Sequence, residues 1–174
     1  MELPIPKHLK DYLVPVKEKS DHYCVNGNIK CTCGNEKLVL MCVGEKSDDN
    51  RSLVSKEIRD YFCLVIKAIC PDCNKEIMIF NDSLHGWEGF VCNEGNIIRL
   101  SNNSFSNWEC EQCKQKKFNV ELSIRSQGKE DFMEETDGNF NEADWIEAFE
   151  WITININCAH CKNSFKEWIS YETM

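Results

Sequence analysis

Eight of the twelve cysteines stand in four doublets: Cys31-x-Cys33, Cys70-x-x-Cys73, Cys110-x-x-Cys113 and Cys158-x-x-Cys161. The order is pair, long gap, pair, and then the same again. Two cysteines this close on a tight turn place two thiolates on one side of an ion. Two such turns complete a four-sulfur tetrahedron, the arrangement zinc prefers. The spacing therefore predicts two metal sites. Cys31, Cys33, Cys70 and Cys73 form one, and Cys110, Cys113, Cys158 and Cys161 form the other. Iron also accepts four thiolates, but two separated ribbons favour zinc, Zn2+. An even cysteine count would permit six disulfides. The start of the chain lacks an apolar run behind a basic end, and the doublet spacing suits metal better, so a reducing, cytoplasmic setting is expected.

The halves repeat. Cys33 aligns with Cys113 and Cys70 with Cys158. Leu38 and Leu40 alternate after the first doublet as Phe118, Val120 and Leu122 do in the second half. Leu64, Ile66 and Ala68 match Ile152, Ile154 and Ile156 before the closing doublets. After them, Ile77, Ile79 and Phe80 correspond to Phe165, Glu167 and Trp168. Period-two alternation beside a knuckle indicates strands. The expected fold is mainly β (small α+β): two tandem zinc ribbons related by internal duplication, each carrying an inserted segment. The boundaries read as an N-terminal arm over 1–27, ribbon 1 with a His-Gly-Trp extension over 28–92, a linker over 93–107, and ribbon 2 with an acidic insertion over 108–174. Isolated ribbons bury little apolar surface, so metal binding is expected to carry much of the folding energy.

The gaps between paired doublets hold 36 and 44 residues, more than a minimal ribbon needs. In the first, Val54, Ile58 and Tyr61 recur at helical spacing and predict a short helix or turn near Ser52–Asp60. In the second, Asn141 can cap a turn bearing Glu142, Asp144 and Trp145. Pro6 can open a helical turn through Leu9 that ends before Pro15. Tyr23-Cys24-Val25 followed by Asn26-Gly27 reads as strand and turn. Of the remaining cysteines, Cys42 and Cys63 fall on expected strands as small core residues, whereas Cys24 and Cys92 occupy similar aromatic–cysteine–polar settings.

Net charge is −9, and nine acids lie between Glu130 and Glu150 with no Lys or Arg among them. Such a field repels phosphate backbones and attracts basic surfaces. Glu134, Glu135, Asp137, Glu142 and Trp145 are the candidate partner-binding residues. Cys70-Pro71-Asp72-Cys73 resembles a redox dithiol, but the alternating residues after it predict a strand, where a redox dithiol needs a helix N-terminus. No phosphate loop, nucleophile elbow or His-Glu-x-x-His occurs. His85, beside Trp87, is the one histidine that looks placed. No stretch approaches the roughly 20 apolar residues of a membrane span.

The doublets, with His85-Gly86-Trp87-x-Gly89-Phe90, Gln127-Gly128-Lys129-Glu130-Asp131-Phe132 and Tyr171-Glu172-Thr173-Met174, resemble an uncharacterised family of small bacterial double zinc-ribbon proteins. That resemblance covers most of the chain after residue 30. It implies the fold and the metal ligands and no activity. Over the second ribbon alone, Cys110-Glu111-Gln112-Cys113 with Arg125-Ser126 and Glu130-Asp131 is similar to transcript-cleavage factors. In those factors an acidic ribbon tip enters an RNA polymerase. Here three residues separate the acidic pair from Arg125-Ser126. The expected function is a non-enzymatic zinc-binding module that uses its acidic surface on a basic protein partner, of immunity, inhibitor or regulator type. The alternatives are a nucleic-acid-binding or RNA-polymerase-associated ribbon using Lys114, Lys116, Lys117 and Phe118, and an enzyme using His85.

Overall fold

The computed structural model describes residues 3–93 and 100–174. Thirteen strands occur among them. They are β1 (Leu13–Pro15), β2 (Cys24–Ile29), β3 (Leu38–Val43), β4 (Glu45–Lys46), β5 (Leu53–Val54), β6 (Lys56–Ile58), β7 (Tyr61–Cys63), β8 (Val65–Ile69), β9 (Glu76–Asn81), β10 (Ser106–Asn107), β11 (Lys117–Arg125), β12 (Trp151–Cys158) and β13 (Ser164–Glu172). One α-helix, α1, spans Lys129–Glu135. Among the described residues no helix is long and apolar enough to cross a membrane. The protein is mainly β, and nine strands join one curled antiparallel sheet.

The expected repeat is present, and its two copies interlock. Within each copy the long strands form a meander, β3–β8–β9 in the first and β11–β12–β13 in the second. The copies then meet through β3 and β11, which pair antiparallel with Leu38 opposite Phe118. Cys33 and Cys113 being equivalent, Leu38 and Phe118 are equivalent too, so this pair marks a local two-fold axis. Each copy lends its entering strand to the other. β2 of the first copy lies along β11, with Asn28 opposite Glu121. β10 of the second lies along β3, with Asn107 opposite Met41. Once the one-residue-shorter Cys31 turn is allowed for, so that Cys31 matches Cys110, the registers agree residue for residue. Of the expected linker, residues 94–99 lie outside the described residues. Asn102–Ser104 forms a 3-10 turn and Ser106–Asn107 is β10.

Alternation decides which side chains go inward. β11 and β12 bury every second residue without exception: Phe118, Val120, Leu122 and Ile124 face Ile152, Ile154, Ile156 and Cys158. Leu38, Leu40, Ile66, Ala68, Ile77 and Phe80 of the first copy join the same cluster, as do Trp108, Phe165 and Trp168 of the second. The ribbons thus share a single core. A bulge interrupts both last pairings, between Ile66 and Lys67 in one copy and between Ile154 and Ile156 in the other. The second bulge is wider. Glu167 adopts φ 49°, and its amide donates to Asn155 Oδ1 at 2.7 Å. Ile77 is equivalent to Phe165 as expected. Beyond the bulge, however, Ile169 occupies the place opposite Ile154 that Phe80 holds opposite Ile66, one residue later than the linear alignment with Trp168.

The outward faces differ between copies. In the first copy Val43 and Val65, with Cys63, pack beneath Met78, Leu100 and Phe105. The Lys67 ammonium lies 4.4 Å over the Phe105 ring. The matching positions of the second copy are Ser123, Thr153 and Lys166, and that face is polar.

Two local expectations are overturned. Ser52–Asp60 is not helical. Leu53–Val54 pairs with Glu45–Lys46, and β6 and β7 form a hairpin closed by Arg59-Asp60. Both turn residues have positive φ, 50° and 68°, the conformation a two-residue hairpin demands. The helical spacing of Val54, Ile58 and Tyr61 was incidental, since Val54 and Tyr61 are exposed. Asn26-Gly27 is also not a turn but the middle of β2. Gly27 is needed there because β1 passes so close that a Cβ would sit 2.5 Å from the Val14 carbonyl oxygen. Pro6 does open a short 3-10 turn, Lys7–Leu9.

That turn docks the N-terminal arm on the rest of the molecule. Lys7 reaches Asp144 at 2.7 Å and its amide donates to Glu147. The His8 ring stacks flat on His85, centroids 3.7 Å apart and planes 4° from parallel. His8 Nε2 contacts the Ile79 carbonyl, whereas His85 Nδ1 accepts from the Asn81 amide. Burial holds both imidazoles below their ordinary range, His85 at about 3. Burial raises nearby Asp82 to about 6.

Phe118→Ala empties the centre of the shared core and should cost about 3–5 kcal/mol in chemical denaturation of the metal-loaded protein. The stacked histidines set a pH dependence. Unfolding releases two imidazoles that take protons below roughly pH 6.5 while the native pair stays neutral, so stability is full above that pH and drains below it. Asp82 acts in the opposite sense, since the native state keeps its proton up to about pH 6. Two imidazoles held down oppose one carboxyl held up, so the cluster as a whole loses stability as pH falls below about 6. The double variant His8→Phe, His85→Phe should lose less stability than wild type between pH 7 and 5.5, each measured by denaturation with metal bound.

Candidate metal centres

Every doublet sits on the same kind of turn. The Cys70 amide donates to the Lys75 carbonyl at 2.9 Å and the Asn74 amide to the Cys70 carbonyl at 2.9 Å. Cys110 with Lys114 and Gln115, and Cys158 with Lys162 and Asn163, repeat this pattern. The Cys31 turn is one residue shorter, and uses Gly34 and Asn35. The residue after each second cysteine is left-handed: Gly34 at φ 97°, Asn74 at 59°, Lys114 at 61° and Lys162 at 63°. Glycine and asparagine tolerate this region, whereas the two lysines adopt it because the turn requires it.

These turns aim amide groups at sulfur. The Cys73 and Asp72 amides donate to the Cys70 thiol, and those of Cys113 and Gln112 to the Cys110 thiol. Burial pushes both thiols up, but the amides and the neighbouring thiols overrule it and hold each at about 7. The outer thiols behave differently. The Asn35 amide favours the Cys33 thiolate, yet sharing with the Cys70 sulfur and burial carry Cys33 to about 12. Each tetrad thus has one thiol ready to ionise, and a bound cation displaces the remaining protons.

The eight doublet cysteines converge as expected, in two groups whose sulfurs lie within 4.8 Å of one another. Cys31 Sγ is 3.5 Å from Cys73 Sγ, and Cys33 Sγ is 3.4 Å from Cys70 Sγ. Cys110 with Cys161 and Cys113 with Cys158 both measure 3.5 Å. A disulfide would bring sulfurs to about 2.05 Å. Four thiolates at about 2.3 Å around one ion stand about 3.8 Å apart. The observed spacing is close to the second value, and all twelve cysteines are unbridged. In every doublet the first cysteine is buried and the second is more open to solvent. The chain is built to hold two metal ions. Comparisons with protein-family models, with curated proteins and with solved structures return no match.

The other candidates separate clearly. Cys42 and Cys63 are buried, their thiols pushed up to about 12 and about 11, first by burial. Among the described residues Cys24 and Cys92 join no ligand cluster. Cys73 leads into strand β9, as the alternation predicted, and not into a helix. His85 is held against His8, and Gly86 after it turns at φ 75° so closely beside Thr173 that a Cβ would lie 2.5 Å from that side chain. The Trp87 amide then donates to both the Phe149 carbonyl and Thr173 Oγ1. The Trp87 ring meets Phe132 edge-on at 6.2 Å. The His-Gly-Trp extension of the first copy therefore plugs into the end of the second.

The acidic stretch folds as α1 and a 3-10 turn, Glu142–Ile146. The turn at Asn141 is the expected one, though the Asn141 carbonyl, not its side chain, makes the closing bond to the Asp144 amide. Glu134, Glu135, Asp137 and Glu142 are exposed and Trp145 is half-buried. Lys129 pairs with Glu142 at 2.5 Å and ties the helix to the turn. Sequence reasoning missed that Tyr23 and His22, far away in the chain, come to this surface. Only the pairing of β2 with β11 brings them there.

Cys70→Ser should lower the metal content of purified protein from about two ions per chain to about one, read by elemental analysis. Cys42→Ser, which alters an equally buried sulfur outside the tetrads, should leave it at about two. Equal losses in both would remove the distinction drawn here.

Proposed function

We propose that the protein is a non-enzymatic binding module, stapled by two structural zinc ions, whose acidic surface recognises a protein partner that carries a basic one. Four thiolates fill a tetrahedral ion and leave no position for water or substrate, so zinc held this way braces the fold and does no chemistry of its own. Zinc is favoured over iron because each tetrad is a separate mononuclear cage. Twelve unbridged thiols suit a reducing compartment such as the cytoplasm.

The observation that carries the partner reading is the folded acidic rim. Glu134, Glu135 and Asp137 stand exposed around the end of α1, with Glu142 and Trp145 on the adjoining turn. A rigid acidic surface around an aromatic ring is suited to steering and holding a basic one. An inhibitor or immunity protein for a basic, nucleic-acid-targeting enzyme would use such a surface, as would a regulator of a nucleic-acid machine. The residues behind a nucleic-acid reading fit less well. Phe118 is fully buried and unavailable to a base, and Lys116 is matched by Glu109 at 3.1 Å.

Charge reversal at Glu134, Glu135 and Asp137 to Lys should abolish capture of the partner in pull-downs from the native host and leave metal content and thermal melting unchanged. Undiminished capture by that variant would refute the acidic-rim reading. A salt-sensitive shift of labelled single-stranded DNA or RNA by the wild type would favour nucleic-acid binding instead.

A further inference from the structure

A groove of about 410 Å³ opens where the entering strand of the first copy meets the acidic segment of the second. Its lining includes His22, Tyr23, Trp145, Glu130 and Asp131. Two aromatic side chains and two carboxylates therefore face one space. Among the described residues no cation pairs with Glu130 or Asp131, and Lys129, which also borders the groove, is engaged by Glu142 at 2.5 Å.

The Tyr23 wall is set in place by backbone. Asp21 Oδ1 accepts the Tyr23 and Cys24 amides, each at 2.8 Å. The Ser126 amide donates to the Tyr23 carbonyl at 2.8 Å. The ring itself lies on Gly128, where a Cβ would come within 2.7 Å of Tyr23 Cε1 and where φ is 115°. The His22 ring lies beside it, centroids 3.9 Å apart and planes tilted by 46°. Trp145 is placed by the turn that Lys129 ties to α1. Aromatic faces attract cations through their quadrupoles, and carboxylates at the same mouth add charge while discouraging anions.

We infer that this groove receives one cationic side chain, a lysine ammonium or an arginine guanidinium, from a basic protein segment. The inference rests on the acidic-rim reading and gives that surface a specific subsite. Tyr23 and Trp145 offer it aromatic walls, and Glu130 and Asp131 neutralise it. Glu134, Glu135 and Asp137 lie outside the groove lining and act on the rest of the basic segment.

The test titrates isotope-labelled, metal-loaded protein with the acetylated amides of lysine, trimethyllysine, arginine and norleucine, and follows the Gly128 amide and the Trp145 indole by NMR. The cationic probes should shift these resonances saturably, and neutral norleucine should not. Trp145→Leu and Tyr23→Leu should each weaken binding about tenfold or more, whereas Trp145→Phe should retain most of it. Spectral dispersion reports that each variant is folded. Equal shifts from norleucine and lysine, or unchanged binding in folded Leu variants, would overturn the subsite. A heptalysine peptide separates the two readings. If its binding depends on Glu134, Glu135 and Asp137 but not on Tyr23 and Trp145, the rim stands and the groove falls. If it does not bind at all, both fall.

Discussion

The antiparallel meeting of Leu38 and Phe118 is the contact from which the rest of the architecture follows. A strand that pairs with its own duplicate at equivalent residues can do so only about a two-fold axis. Once β3 and β11 lie this way, the edge of each beyond the shared pair is left open. The entering strand of the opposite copy fills it, which satisfies backbone groups that would otherwise be stranded against the core. Neither ribbon is then a unit with its own interior. The inward residues of both belong to one cluster, and the metal-bearing turns are the corners of one sheet.

That arrangement changes how the metal centres bear on stability. Two free-standing ribbons would depend on their ions for most of their folding energy. Here the first cysteine of every doublet is itself part of the apolar cluster. Thiolate cage and hydrophobic core are thus continuous, and each supports the other. The amides that steady the sulfurs come from turns whose other ends are the strands lining the core. The left-handed Lys114 and Lys162 show the same economy, with local conformational cost accepted so that the turn can present its amides.

Much of this was legible in the chain. Doublet spacing named all eight cysteines of the two tetrads, because a four-sulfur cage demands that residue type at that separation. Alternation located β3, β8, β9, β11, β12 and β13, because a half-buried strand has no other way to be written. What escaped was long-range. Nothing near Leu38 announces Phe118 as its neighbour, and nothing near His8 announces His85. Gly27 looked like a turn because asparagine–glycine is a turn signal, but its purpose is the close approach of β1. The hairpin at Arg59-Asp60 lacks the glycine or asparagine that usually reveals one. Trp145 was singled out from its place on the turn after Asn141 in the acidic stretch, while the approach of Tyr23 depended on a strand pairing between copies that no local pattern encodes.

The exchange of entering strands has a thermodynamic corollary. β2 leads into the first cage but lies against β11, which leads out of the second, and β10 and β3 are related in the same way. Occupancy of either cage therefore steadies scaffolding that the other needs. Loading is expected to be cooperative: the ion that arrives second finds scaffolding that the first has already steadied.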